Sequence, residues 1–154
     1  MIDNTFLTAF GHRLTQMIQT EDDRRDTKDE KVTIFHGTEV PEMTLVDYLE
    51  RIAKYSELEV SEFIVGMLYL RRIRELHPHF PCSHRSIHRT ILTLLLVATK
   101  MYRDCPLSNK FYAVVGGISR SELARLERCT LELLEYRLFV SVDEYTSEAA
   151  DWNL

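Results

Sequence analysis

Hydrophobic residues recur along this chain at intervals of three and four, and no segment alternates with the period of two that marks a half-buried strand. Phe6, Leu7, Phe10, Leu14, Met17 and Ile18 predict a short amphipathic helix over residues 4–18. The next stretch, QTEDDRRDTKDEK from Gln19 to Lys31, has no apolar residue and predicts a solvated linker. VTIFHGTEVPEM then combines β-branched residues with a glycine and a proline and reads as an extended lead-in with a turn. From Thr44 the helical period returns, with Leu45, Leu49, Ile52 and Ala53 on one face and Asp47, Glu50, Arg51 and Lys54 on the others. Ser56 followed by Glu59 suggests a capping box for a helix that runs through SEFIVGMLYLRRIREL and stops before Pro78.

The segment HRTILTLLLVATKMYRD, His88 to Asp104, differs from its neighbours because Thr90 to Thr99 are all uncharged. A membrane span needs about 20 apolar residues, roughly twice this length, so the segment predicts a buried central helix ended by Pro106. LSNKFYAVVGG predicts a short helix capped by Ser108 or Asn109, with Gly116 or Gly117 left-handed at its end. Ser119 with Glu122 is a clean capping box for a helix from Arg120 to Arg137, with Leu123, Leu126, Thr130, Leu133, Leu134 and Leu138 inward. Ser141 with Glu144 opens a last short helix that turns Val142, Tyr145, Ala149 and Trp152 to the core. The fold class expected is all-α, a helical bundle around one apolar helix.

Composition adds limits to this picture. The 154 residues suit one domain, and 45% hydrophobic with 28% charged residues is the balance of a globular protein. A net charge of −5 supplies no general pull toward nucleic acid or an anionic membrane, so neither is expected as a partner. The start of the chain has no basic n-region with an unbroken apolar stretch, and Cys82, Cys105 and Cys129 show no paired spacing; an intracellular location, nuclear or cytoplasmic, is the expectation.

Catalytic motifs are missing from the sequence: there is no P-loop, no nucleophile elbow, no HExxH and no paired CxxC. HPHFPCSH gathers His77, His79, Cys82 and His84, but its spacing fits no standard zinc finger and two prolines restrict it, so it reads as a solvent-facing loop and no metal or cofactor is expected. The run RRIRE reads as a solvated helix face, and Tyr48, Phe63, Tyr69, Phe111 and Tyr112 as core aromatics. Lys100 and Glu127 stand apart, since each lies on a helix whose pattern is mostly buried and a buried charge is costly unless paired. Two readings stay open for them: a structural salt bridge between helices, or a polar device at a protein interface.

The blocks FHGTEVPEMTLVDYLERIAKY, SEFIVGMLYLRRI, IHRTILTLLLVATKMYRD, SNKFYAVVGGISRSELARLE and LLEYRLFVS resemble, in order and spacing, the cyclin box of the P-type or U-type cyclins, the phosphate-signalling group. The resemblance runs from Phe35 to Tyr145 and is carried most specifically by YAVVGGIS joined to ELARLE. It implies a single cyclin box of five helices over residues 32–146, an N-terminal helix and polar linker over 1–31, and a tail or short helix over 147–154. It also implies a regulatory subunit instead of an enzyme, one that binds and activates a cyclin-dependent kinase of the phosphate-pathway type by gripping its αC helix. Kinase substrates or inhibitors are further partners on that reading. The alternative is a cyclin-fold adaptor without kinase activation.

Carried over residue by residue, the resemblance assigns polar contacts with the kinase to Lys100 and Glu127, and apolar contacts to Val97, Met101, Tyr136 and Leu138. Two departures qualify it. PEMTL stands where cell-cycle cyclins have MRAIL, with Glu42 in place of the arginine, which argues against docking of RxL-type substrates. Tyr102 and Arg103 replace acidic residues after the third-helix lysine, which points to a kinase other than the standard cell-cycle ones.

Overall fold

The apolar segment forms helix α4 (Ile87–Tyr102), and every residue from Thr90 to Thr99 is buried. In the computed structural model, which describes the backbone of residues 1–24 and 32–153 and the side chains of 1–20 and 32–153, the other helices are arranged around it. These are α1 (Asn4–Arg24), α2 (Leu45–Ser56), α3 (Val60–Leu76), α5 (Asn109–Gly116), α6 (Arg120–Leu133) and α7 (Val142–Ala150). Helix α4 packs against α2, α3, α5 and α6, while α1 lies on α2 and α7 on α3. No strand occurs among the described residues. An all-round apolar helix is stable in water only if neighbours cover every face, and this arrangement supplies them.

Local signals set most boundaries. Thr44 caps α2, Ser108 caps α5, and Ser119 and Ser141 form full capping boxes with Glu122 and Glu144 at the starts of α6 and α7. The carboxyls of Glu122 and Glu144 are held below the usual carboxylate range, in each case chiefly by the backbone N–H of the capping serine. At the start of α3 the box is shifted from the expected one. Glu59 is the cap and Glu62 its partner, whereas Ser56 closes α2 as a buried residue. Gly117 takes the left-handed conformation (φ 72°) after α5, with the Ile118 N–H reaching back 3.0 Å to the Ala113 carbonyl.

Helix α1 is longer than its apolar pattern. It continues through Gln19 to Arg24, the first part of the expected linker; the remainder of that stretch, 25–31, lies outside the described residues. Phe10, Leu14 and Ile18 of α1 are fully buried in the common core, and Phe6 and Phe10 meet Phe63 edge-on. A polar cluster ties α1 to the other end of the chain. The buried carboxylate of Glu148 accepts hydrogen bonds from the Trp152 indole (3.1 Å) and Arg71, and Arg13 stacks its guanidinium 3.8 Å from the Trp152 ring centre.

Helix α6 stops at Leu133, four residues short of the expected Arg137. Glu135 and Tyr136 are both left-handed (φ 52° and 57°), and the Tyr136 N–H bonds the Leu131 carbonyl at 2.9 Å while the Glu135 N–H bonds that of Glu132. This is a Schellman ending built without glycine, so the sequence carried no stop signal. Leu134 is buried as expected, but Val142 points to solvent instead of to the core. A non-glycine residue in this region is strained by about 1 kcal/mol, so Glu135→Gly is expected to raise stability by about 0.5 kcal/mol after the added freedom of the unfolded glycine is subtracted. Urea unfolding measures it, and a decrease in midpoint would show that the Glu135 side chain contributes more than its backbone costs.

Candidate protein-docking site

Lys100 sits in the last turn of α4, where a cation complements the partial negative charge of the helix end. Its Nζ donates to Glu127 Oε1 at 2.7 Å across the α4–α6 contact. The pair is less buried than its helices suggested: the Lys100 side chain is 37% exposed and that of Glu127 17%. The second carboxylate oxygen, Oε2, accepts from Asn109 Nδ2 at 2.7 Å, a contact no sequence signal announced.

The remaining expected positions divide by depth. Val97, one turn before Lys100, is 2% exposed and belongs to the core beneath the site. Met101, Tyr136 and Leu138 lie at or near the surface, with Tyr136 65% exposed and Leu138 partly buried. The sequence reading missed Tyr102, Phe139 and Val142, all exposed large hydrophobic residues near the same edge. Val142 was masked by the inward position that helical periodicity gave it.

Residues 134–141 run as a strap whose main chain is held by side chains of α3 and α4. Arg72 donates to the carbonyls of Arg137 (2.8 Å) and Phe139 (2.7 Å) and pairs with Glu144. Tyr69 and Tyr102 both donate their hydroxyls to the Leu138 carbonyl, and the Tyr102 oxygen accepts the Val140 N–H at 2.8 Å. Burial pushes the Tyr69 hydroxyl well above the ordinary tyrosine range, so it is a fixed donor. Arg72 is therefore not part of a merely solvated RRIRE face. Because these bonds use backbone groups, the strap's own side chains are free to project. Beneath Tyr136, Leu138 and Phe139 the strap and α3 leave an open groove of about 470 Å³ that Arg72, Leu76 and Leu134 complete.

Two other features of the sequence are used internally. Arg103 donates to the Glu62 carboxylate and to the Glu57 carbonyl (2.6 Å), so its charge is spent within the chain. His88 donates Nε2–H to the Met43 carbonyl at 3.0 Å and packs edge-on to Tyr48; burial lowers its pKa and keeps it neutral. Arg89 pairs with Glu122 at 3.4 Å. In the HPHFPCSH loop, Cys82 is buried, His79 and His84 are exposed, and His77 bonds the Leu133 carbonyl. No group of three His, Cys, Asp or Glu side chains among the described residues is placed to hold a metal ion. No helix of the described residues is long and apolar enough to cross a membrane.

An apolar edge rimmed by a fixed ion pair has the form of a protein docking surface: aromatic and aliphatic groups supply area, and oriented charges supply register. A family model described as Cyclin matches residues 6–138. Cyclin-P3-1 of Oryza sativa subsp. japonica is 38% identical over 141 residues, which cover 92% of this chain and 59% of that protein. Cyclin-U1-1 of Arabidopsis thaliana is 33% identical over 144 residues, covering 92% and 69%. PHO85 cyclin-7 of Saccharomyces cerevisiae is 34% identical over 152 residues, covering 92% and 53%. The chain thus spans between about half and seven-tenths of the length of these relatives.

Proposed function

The chain belongs to the cyclin family, as a member with a single cyclin box of the P/U type, and from that premise we propose that it is a regulatory subunit that docks on the αC helix of a cyclin-dependent kinase and holds it in the active arrangement. The observation that carries the proposal is the part-exposed Lys100–Glu127 pair, together with the exposed side chains of Met101, Tyr136 and Phe139. Residues 32–146 do the partner-facing work, while α1 and the tail from 147 brace them through Arg13, Glu148 and Trp152. One yeast relative carries PHO85 in its name, in keeping with a phosphate-pathway kinase as the partner. The protein then acts inside the cell, in the nucleus or cytoplasm, where that kinase is.

A docking surface activates a kinase only if it binds the active arrangement more tightly than the inactive one, and the difference sets the population shift. Rigidity serves this end. A surface that could follow αC into either position would bind both equally. Here the contact groups are mounted on the central helix and on a strap fixed by Arg72, Tyr69 and Tyr102.

The test is quantitative binding to the candidate kinase with Lys100→Ala and Glu127→Ala. Loss of a charge-assisted contact is expected to weaken each variant by about tenfold or more with the fold intact. Undiminished affinity in both removes the role assigned to the pair. Kinase activity measured with and without the protein separates an activator from a cyclin-fold adaptor: binding with no rise in turnover favours the adaptor.

A further inference from the structure

Glu127 is held at both of its oxygens, by Lys100 Nζ on Oε1 and by Asn109 Nδ2 on Oε2, each at 2.7 Å. Asn109 is the first residue of α5, but the capping of that helix is done by Ser108, whose hydroxyl accepts the Phe111 N–H. The Asn109 amide is therefore not needed to start its own helix and is turned across to α6. We propose that Asn109 is a positioning residue for the docking site: it fixes the plane of the Glu127 carboxylate, and through it the place of the Lys100 ammonium. The inference rests on the reading of this edge as the kinase-docking site.

The physical reason is rotational freedom. A carboxylate tied at one oxygen can swing about its terminal torsion, which is broad and only weakly restrained, and a flexible lysine follows it. Tied at both oxygens by partners on two different helices, it has one orientation. An ammonium has three donors, and Glu127 takes one at a side chain that is still 37% exposed; the other two remain for acceptors on a partner. Ordering a lysine costs rotamer entropy on binding, and a lysine already placed in the free protein loses less.

A mutant cycle tests the assignment, using the whole chain and the partner kinase. Asn109→Ala is expected to weaken binding about fivefold in the wild-type background, and to change it by less than about 1.5-fold when Glu127 is already alanine. Circular dichroism on all four proteins checks the fold, and alanine is well tolerated at a helix start. If Asn109→Ala weakens binding equally in both backgrounds, the residue supports α5 and does not act through Glu127; if it leaves wild-type affinity unchanged, the carboxylate needs no second holder. Either result overturns the positioning role while leaving the docking site in place. A wild-type protein with no affinity for the kinase overturns both readings and is told apart by that control alone.

Discussion

Arg103→Met is expected to lower the free energy of unfolding by about 2 kcal/mol, a large effect for a residue beyond the end of a helix. Arg103 leaves α4 in an extended conformation and reaches to the junction of α2 and α3, where its Nε meets the Glu62 carboxylate and its Nη2 the Glu57 carbonyl. Glu62 is only 6% exposed, and its other oxygen accepts the Glu59 N–H that closes the α3 capping box. Removing the guanidinium strands a carboxylate that cannot turn to water without opening the box. The Glu62 contact also raises the Arg103 pKa above its ordinary value, so the guanidinium stays charged throughout the usual pH range.

Methionine keeps much of the arginine's stem, so lost packing contributes little and the unpaired charge dominates. Adding Glu62→Gln to Arg103→Met should then restore part of the loss, because the stranded group no longer carries a charge. Urea titration reads both: the midpoint falls in the single variant and partly recovers in the double, with an unchanged slope. A single variant within about 0.5 kcal/mol of wild type, the range of ordinary surface substitutions, would mean that the contact is solvent-screened.

The same residue shows where the sequence was readable and where it was not. The helices were legible because their signals are local: Thr44, Ser108, Ser119 and Ser141 announce starts within four residues, and the uncharged run of α4 announces a centre. Contacts between distant residues carry no such mark. Arg103 read only as a departure pointing to a different kinase, and the approach of Glu62, 41 positions away, shows that its charge is spent within the chain. Asn109 looked like a cap candidate, yet Ser108 caps and Asn109 crosses to Glu127. Of the proposed docking positions, Lys100, Glu127, Met101 and Tyr136 come from the resemblance, whereas Tyr102 and Phe139 needed the strap, and the strap needed an ending of α6 that no glycine announces.

That ending singles out Tyr136 for the largest effect on partner binding. Tyr136→Ala is expected to weaken kinase binding about 30-fold, the loss of about 2 kcal/mol that an aromatic anchor at an interface carries. Tyr136 is 65% exposed and left-handed, so the strain of its backbone is borne while most of the residue stays open to solvent in the free protein. Its neighbours in the strap are fixed by Arg72 on the Arg137 and Phe139 carbonyls, which leaves the ring in place and lowers the entropy lost on docking. Stability should be unchanged, since the side chain covers little and alanine adopts the same backbone with similar strain. Val114→Ala supplies the comparison: Val114 is equally exposed at 69% but lies on α5, and its loss should alter affinity less than about twofold. Equal losses at Tyr136 and Val114 would show that exposure alone, and not the edge formed by α4, α6 and the strap, determines the contribution; a loss confined to Tyr136 places the kinase on that edge, next to Lys100.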